Sequence, residues 1–487
     1  SSDLDNNLLE EAQIMTESTA GQANTTDIIF GLNDNPPAIQ AFLAALQHML
    51  AIFIGIITPP LIIGGALGLP PDLKAYIISM ALFVSGIATF IQIKKFGPIG
   101  SGILSIQGTS FTFLGLSIGI GLSVKAAGGT PEMALGTIFG VALICSPVEM
   151  IFSRFIPLLR KIITPLVSGI VVTLIGLSLI RVGITDIGGG QWLLDNKPQF
   201  FASGQNLGLA AIVLITIIIF SRSNNKWLRM GSIVIGLIVG YIVASFLGLV
   251  QFGRISSLGI FTAPIPFKFG FHISWAHVIP MMLLYLITTV ESIGDLTATS
   301  MVSGEPIEGD LYMERISGGV FGDGVNSAIA AIFNSFPNTT FSQNNGVIQM
   351  TGVASRRVGF WIAGMLVLLG LFPIVGGLFS IIPNSVLGGA TIIMFGTVAA
   401  SGIRIIASSD IDRRGVLIMA ISFGLGLGVA FRPELLGIFP STVKQIFGSA
   451  ITTGGLTAIL LNIVLPRTFP IPTPEGDAFM GAEKTDK

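Results

Sequence analysis

The sequence predicts an all-α protein that crosses a membrane many times. Of its 487 residues, 51% are hydrophobic and only 10% are charged, whereas a water-soluble chain carries about 25% charged residues. The mean hydropathy is +0.83. Many uncharged stretches approach or exceed the roughly 20 apolar residues that a helix needs to cross the hydrocarbon core. A soluble enzyme is therefore excluded.

The remaining composition excludes further classes. The net charge of -1 provides no basic field for a polyanion, so nucleic acid is not an expected partner. Cys145 is the single cysteine, which rules out intrachain disulfides and thiolate metal clusters. The 61 glycines exceed the usual share of about 7%, as expected where helices pack closely in lipid.

Fourteen membrane spans are predicted from apolar stretches. Charge-free runs cover 40–69, 75–93, 101–124, 162–180, 230–253, 324–355, 358–403, 415–431 and 445–466. Shorter or singly charged stretches lie at 133–153, 206–221, 277–302 and 315–333. The run 358–403 is too long for one helix, and Pro373 and Pro383 are the expected points of division.

The distribution of basic residues predicts that both termini are cytoplasmic. With that orientation, 17 of the 25 Lys and Arg residues fall inside and 8 outside, as the positive-inside rule requires. Residues 1–39 contain no Lys or Arg and lack the basic region of a signal peptide, so they are predicted to form a cytoplasmic tail. Residues 467–487 are predicted to form a second tail. Because the sequence opens with Ser1 rather than Met, further native residues are expected before it.

The spans divide into two halves of seven, 40–250 and 277–466. An odd number of spans makes the second half inverted relative to the first. In each half the third span is irregular: SGILSIQGTSFTF occupies 101–113 and PNTTFSQNNGVIQMTG occupies 337–352. Short, polar, glycine-interrupted segments at matching positions of inverted halves indicate a transporter's binding site near the membrane midplane, where two half-helix N-termini face a ligand.

Five ionisable residues within the spans need an explanation, because each carboxylate costs roughly 2.5 to 3.5 kcal/mol on insertion scales. Glu291 and Asp295 lie four residues apart on one helix face, and a functional role is favoured for this pair. Asp323 is either a helix cap or structural latch, or a transport residue. Glu149 is either functional or interfacial. His48 either bonds a neighbouring helix or has a ligand or proton role.

One string of residues carries a family resemblance. Gln343, Asn344, Asn345 and Gly346, followed by Thr351 and Gly352, match the signature of the nucleobase-ascorbate transporter family in register. The chain resembles that family from about Pro36 to Pro466, including LQHMLA at 46–51, SIQGTSF at 105–111 and VESIGDLTATS at 290–300. Within the family it is most similar to the bacterial xanthine permeases.

The resemblance implies a purine substrate, xanthine, and particular residue roles. Glu291 is expected to accept N–H groups of the base, and the amide of Gln343 to donate and accept at its edge, in one shared cavity. Aromatic and backbone contacts around the ring are expected from Phe111 and Phe341, with Ser342 beside them. Ser110 departs from relatives that carry Asn or Thr there, a position that bears on xanthine against urate preference.

The resemblance also implies the coupling and the architecture. His48, Asn344 and Asp323 match positions linked to affinity or activity, and Asp295 belongs to the same signature as Glu291. The coupling ion is expected to be a proton, with no cofactor. The implied architecture has a core domain at 40–153 and 277–376, a gate domain at 160–250 and 383–466, and short strands in the third and tenth spans. The implied protein is a homodimer through the gate, in lipid of the bacterial inner membrane, working by an elevator movement.

Several alternatives remain open at the level of sequence. Urate is the next substrate, followed by guanine or hypoxanthine. The anion exchangers and channels of the same inverted plan are a rival class, although Glu291 argues against an anion site. A purine receptor without transport is another. A membrane enzyme is disfavoured because the sequence contains no HExxH, no GxSxG and no Cys/His cluster.

Overall fold

The computed structural model describes residues 28–159, 162–250, 259, 261–407, 409 and 411–466, and most of this part is helical. The predicted tail 467–487 and residues 1–27 of the predicted tail 1–39 lie outside the described residues. In the first half the helices are α1 (Ala38–Ala66), α2 (Pro71–Lys94), α3 (Leu114–Ala126), α4 (Pro131–Cys145), α5 (Pro147–Ser153), α6 (Ile156–Leu159), α7 (Pro165–Ile187), α8 (Gln191–Asn196), α9 (Gly204–Ser221), α10 (Lys226–Met230) and α11 (Ser232–Phe246).

The second half has the same predominantly helical character. Its helices are α12 (Val278–Val302), α13 (Gly309–Ile332), α14 (Gln343–Thr351), α15 (Arg356–Leu371), α16 (Pro373–Ser380), α17 (Asn384–Ala407), α18 (Arg413–Phe431), α19 (Ser441–Phe447) and α20 (Ala450–Val464). Short 3-10 turns lie at Phe111–Phe113, Pro198–Phe200, Trp275–His277 and Pro433–Leu436. Within the described residues, eight helices are long and apolar enough to cross a membrane, and the bent pair α15–α16 makes a ninth. The protein is therefore a polytopic membrane protein.

Prolines mark helix boundaries where they are predicted, and charge explains one boundary that differs from the prediction. The run 358–403 is divided at both prolines: α15 and α16 meet at an angle of 74° before Pro373, and α17 begins just after Pro383. The ninth span was predicted to begin at 315, but α13 begins at Gly309 because the acidic first turn around Asp310 suits the positive end of a helix. The predicted stretch 101–124 is not one helix, since its first part forms a loop and a strand.

The two irregular segments meet as a pair of short strands. Strand β1 (Gln107–Thr109) pairs antiparallel with β2 (Asn338–Thr340), with Gly108 opposite Thr339. Each strand leads into a helical segment, the 3-10 turn and α3 after β1 and α14 after β2. The pairing satisfies backbone groups that lipid could not hydrogen-bond, and both strands are fully buried. The polar strings found in the sequence therefore adjoin each other in space.

Helices α7 and α17 pack closely because glycines remove the side chains between them. A Cβ added at Gly176 would overlap the backbone of Ala399, and one added at Gly402 would overlap the backbone of Thr173. Close backbone approach through small residues is the usual basis of helix association in lipid, where no hydrophobic force draws helices together. Both helices line one side of the cavity described below, so this contact sets the shape of that wall.

The α7–α17 contact makes a stability prediction. Gly402→Ala is expected to lower the melting temperature of the purified protein, because the methyl group must push the helices apart at a cost of about 1 to 3 kcal/mol. The matched control is Gly396→Ala on the same helix, where nothing lies within 4 Å of an added Cβ. There Ala should be neutral or stabilising, since glycine is a poor helix former. Equal melting temperatures for the two variants would contradict the packing argument.

Candidate functional site

A cavity of about 670 Å³ lies between α12 and α14 on one side and α7 and α17 on the other. It occupies the end of the molecule where α12 and α17 finish and α7 begins. Its polar lining comes from Thr164, Ser168, Asp295, Thr297, Glu308, Tyr312, Ser342, Gln343, Asn345, Gln349, Thr397, Ser401 and Arg404. Apolar residues of the same helices complete the wall. The volume falls in the range of small-molecule sites.

Three of the predicted site residues line this cavity. Gln343 and Ser342 contribute from the start of α14, and Asp295 contributes from the last third of α12. Asn345, which the sequence singled out with its neighbouring amides, also lines the cavity and accepts a hydrogen bond from Thr299 Oγ1 at 2.7 Å. The start of a helix presents N–H groups without intrahelical partners, so α14 directs hydrogen-bond donors toward this space.

Glu291 does not line the cavity with Gln343, which corrects the expectation of a shared wall. It lies one turn before Asp295 on α12, about 6 Å along the helix axis, beyond the first lining residue of that helix, Ile293. Its Oε2 accepts a hydrogen bond from Thr112 Oγ1 at 3.0 Å, which turns the side chain toward the segment after β1. Glu291 is 9% exposed, whereas Asp295 is 2% exposed.

The two predicted aromatic contacts occupy different places. Phe111 meets Phe395 of α17 edge to face, with ring centroids 5.5 Å apart, just beyond the cavity's lining on that helix. Phe341 is not a wall of the cavity: its ring covers Gly55 and Gly108, where an added Cβ would collide with it. Phe341 therefore packs β1 against α1, and those two glycines are what make room for the ring.

Ser110 is buried and also lies away from the cavity lining. Its Oγ accepts a hydrogen bond from the backbone N–H of Thr112 at 3.3 Å, so it caps the short 3-10 turn after β1. Its own N–H donates to Pro337 O at 2.8 Å. Ser110 thereby holds the segment that presents Thr112 to Glu291.

His48 joins α1 to α14 in the protein interior. Its Nδ1 lies 2.6 Å from Asn344 Oδ1, and Asn344 Nδ2 donates to Leu104 O at 2.6 Å. Because the amide oxygen can only accept, this arrangement places a proton on Nδ1. Both His48 and Asn344 are 0% exposed, so they fix α14 from behind and do not contact the cavity.

Asp323 on α13 is the centre of a buried hydrogen-bond network. Its carboxylate accepts from Gln92 Nε2 at 2.5 Å, from Ser292 Oγ at 2.5 Å and from Thr340 Oγ1 at 3.1 Å. Gln92 also donates to Gly319 O and accepts from Ser101 N–H. The side chain thus ties α2, α12 and β2 together, an arrangement that suits the latch alternative and leaves the transport alternative to experiment.

Glu149 is also buried in the protein interior. It is 1% exposed and sits on α5, which packs against α13 at Gly324, where an added Cβ would meet Met150 and the backbone of Ser146. The carboxyl of Glu149 is therefore buried against neighbouring helices and is not on the protein surface.

Sequence reasoning missed several residues that build the site. Thr112 and Gln92 bond the two central carboxylates, and Ser168 Oγ donates to Val290 O at 3.0 Å, joining α7 to α12 one residue before Glu291. Arg404 Nη1 donates to Gln349 Oε1 at 3.3 Å across the cavity. Thr112 directly follows the string SIQGTSF, so its place near the site was predictable from the sequence. Gln92, Ser168 and Arg404 are single polar residues in helices, and the sequence carries no signal for their partners.

A polar cavity between packed transmembrane helices, with two paired broken spans at its edge, defines a membrane transport protein. The matched family profile is described as the permease family and covers residues 39–435. The chain belongs to this family, the nucleobase-ascorbate transporters, also called nucleobase:cation symporter-2, and it is a transporter and not an enzyme.

Several permeases are similar to this chain over most of their length. Xanthine permease XanP of Escherichia coli (strain K12) is 48% identical over 446 residues, covering 91% of this chain and 96% of that protein. Xanthine permease XanQ of the same strain is 48% identical over 441 residues, covering 91% and 94%. The uric acid-xanthine permease of Emericella nidulans is 34% identical over 478 residues, covering 90% and 83%.

Solved structures share the fold at low sequence identity. The transmembrane domain of the cyanobacterial bicarbonate transporter BicA superposes with a TM-score of 0.55 at 16% identity, covering 89% of this chain and 100% of that one. The murine anion transporter Slc26a9 in its inward-facing state superposes with a TM-score of 0.57 at 13% identity, covering 88% and 69%. At this identity the likeness concerns the fold alone.

Proposed function

We propose that the protein is a proton-coupled symporter that imports xanthine across the bacterial inner membrane. The observation that carries the proposal is the cavity beside the paired broken spans, where Gln343 at the start of α14 faces polar residues of α12. The names of the two Escherichia coli relatives at 48% identity support xanthine as the substrate. The uric acid-xanthine permease keeps urate as the second candidate.

The recognition we propose uses complementary hydrogen bonding to a flat heterocycle. Xanthine alternates C=O and N–H groups, which require an amide that donates and accepts, a strong acceptor and backbone donors. Gln343 is the amide and the first turn of α14 supplies the donors. Glu291, one helical turn beyond the lining of the cavity on α12, is the acceptor in our proposal, and the cavity must extend by that turn for the base to reach it. Glu291 is 9% exposed, and among the described residues Thr112 donates its one side-chain hydrogen bond, so the carboxylate has capacity for a further donor.

The architecture we propose has fourteen passes in two inverted halves, with both termini cytoplasmic. The core (40–153 and 277–376) moves against the gate (160–250 and 383–466), and the cavity, at the end where α1 begins, is the substrate's inward-open path. The contact between α7 and α17 supports a separate gate unit. Helices α9 and α18 belong to the gate, and only 28% of the most apolar stretch of each is buried inside the protein. Their exposed apolar faces support a homodimer through the gate. The coupling proton binds Glu291, His48 or an acid linked to them.

Labelled xanthine uptake tests this function in cells that lack their own xanthine permeases. The expected result is saturable accumulation that a protonophore abolishes, with competition by unlabelled xanthine, weaker competition by urate and none by uracil. Accumulation that survives the protonophore would contradict proton coupling. Binding without accumulation would indicate a receptor. Bicarbonate or chloride flux without purine uptake would indicate the anion transporters that share the fold.

The contact between His48 and Asn344 predicts an effect on apparent affinity. His48→Leu removes the donor to a buried amide oxygen, which costs about 1 to 3 kcal/mol and releases α14. The KM for xanthine is therefore expected to rise by about 5-fold or more. His48→Asn places a donor close to the position of Nδ1, and its KM should stay near the wild-type value. A proton-carrying role for His48 would instead inactivate both variants.

A further inference from the structure

The residues just before α1 form a strap along the end of α14, the short helix that begins with Gln343. We define the strap as residues 28–35. Ile29 N–H and Phe30 N–H both donate to Gly352 O, at 2.8 and 3.1 Å, and Phe30 forms a parallel β-bridge with Val353. Ala354 N–H donates back to Phe30 O at 2.8 Å. The strap thus pairs with the chain directly after α14.

The pairing continues to the start of α15. Arg356 N–H donates to Leu32 O at 3.1 Å, and Ser355 Oγ donates to Asp34 O at 2.6 Å. The Leu32 side chain is 3% exposed and belongs to the hydrophobic core. Asn33 beside it is exposed. The strap is therefore anchored by a buried side chain as well as by backbone hydrogen bonds.

The strap also reaches the other rim of the cavity. Ile28 lies over Gly304, where an added Cβ would be 3.8 Å from Ile28 Cγ1. Gly304 belongs to the loop between α12 and α13, and Ile307 and Glu308 of that loop line the cavity. The strap consequently joins the two segments that follow the cavity-lining parts of α12 and α14.

The half-helix α14 needs such support. It has nine residues, which is too short for a helix to be stable on its own. At its start it is held by β2 and by the contact of Asn344 with His48. At its end it terminates in Gly352 with φ +67°, a left-handed cap whose carbonyl receives both strap N–H groups. The strap therefore holds the C-terminal end of α14, just as β2 and His48 hold its N-terminal end.

We propose that the strap is a positioning element of the substrate site, which holds α14 so that Gln343 faces the cavity at a constant distance from α12. Gln343 is the first residue of α14 and the strap binds directly after its last residue, so the helix between them transmits any displacement as a rigid body. This inference rests on the proposed function for its substrate, xanthine, but its structural part concerns the order of α14 alone.

The test compares two variants of the full chain that add the same charge at neighbouring positions. Leu32→Asp puts a carboxylate into the core and should release the strap, whereas Asn33→Asp puts it into solvent. Hydrogen-deuterium exchange of the purified protein is expected to be at least about 10-fold faster at the α14 amides in Leu32→Asp, with α17 unchanged. The KM for xanthine should rise by about 5-fold or more, with the amount of protein in the membrane unchanged.

Ile29→Pro is the second variant and decides the matter if Leu32→Asp lowers the amount of folded protein. It removes one of the two N–H groups that donate to Gly352, and because the Ile29 side chain is 65% exposed it leaves the core intact. Exchange and KM equal to those of Asn33→Asp would overturn the proposal, as would faster exchange with an unchanged KM. If the wild-type chain takes up no xanthine, the proposed function fails, and the exchange at α14 alone decides whether the strap orders this helix.

Discussion

Glu291→Gln is expected to reduce xanthine uptake by about 10- to 100-fold, measured as the initial rate per amount of protein in the membrane. A carboxylate accepts hydrogen bonds at both oxygens, and one to a charged group contributes about 1.5 to 3 kcal/mol. The amide keeps one acceptor, which Thr112 can use, and turns an N–H donor toward the donors of the base. The loss of uptake therefore combines one missing hydrogen bond with repulsion between two N–H donors, one on the amide and one on the base.

Glu132→Gln is the matched control for this prediction. Glu132 lies in the first turn of α4 and is exposed, so the same chemical change there should leave the uptake rate unchanged. Wild-type uptake by Glu291→Gln would refute both the substrate-binding and the coupling role of this carboxylate. Asp295, the carboxylate of α12 that lines the cavity, would then be the next candidate for both roles.

Asp323→Ala is expected to abolish uptake and to destabilise the protein strongly. The substitution leaves three donors without their acceptor, on Gln92, Ser292 and Thr340, and each unsatisfied buried donor costs about 1 to 3 kcal/mol. The melting temperature in detergent and the amount of protein in the membrane measure this effect. Asp310→Ala, an exposed acid in the first turn of the same helix, removes an interaction with the helix dipole of only about 0.3 to 1 kcal/mol. It should lower the melting temperature far less and leave the amount of protein unchanged.

Asp323→Asn separates a latch from a transport residue. The amide has the shape of the carboxylate, and the hydroxyls of Ser292 and Thr340 can rotate to accept from its NH2 group. If Asp323 acts only as a latch, the Asn variant should fold and retain much of its uptake. If its charge takes part in transport, the variant should fold normally and transport nothing. A variant that fails to fold would show that the bond from Gln92 requires the charged acceptor.

The local features of the fold were predictable because they depend on neighbouring residues. Pro373 and Pro383 lack the N–H and the freedom that a continuous helix requires, so the break points of the long apolar run follow directly from the sequence. The strings QGT and NTT lack the apolar density of a lipid-facing helix, and the structure has them as the paired strands β1 and β2. Polar residues in lipid must find partners, so two such strings tend to meet.

The partners of the candidate site residues were not predictable, because they depend on helices far apart in the chain. His48 and Asn344 are 296 positions apart, and Gln92 and Asp323 are 231 apart. The spacing of Glu291 and Asp295 places both on one face of α12, but only the docking of the 3-10 turn turns Glu291 toward Thr112 and leaves Asp295 to the cavity. For the same reason Phe341 covers two glycines and does not line the cavity.

By itself the sequence determined that this chain lies in a membrane, where its longest apolar run divides, where two polar segments interrupt the apolar pattern and which polar side chains lie within apolar segments. Each of these follows from hydropathy and backbone chemistry over a few residues. The tertiary structure alone decided which of those side chains share the cavity, which are latched to one another, and that residues 28–35 hold the end of α14. Those outcomes depend on how packed helices are rotated and displaced, and a shift of one helical turn exchanges a cavity residue for a buried one.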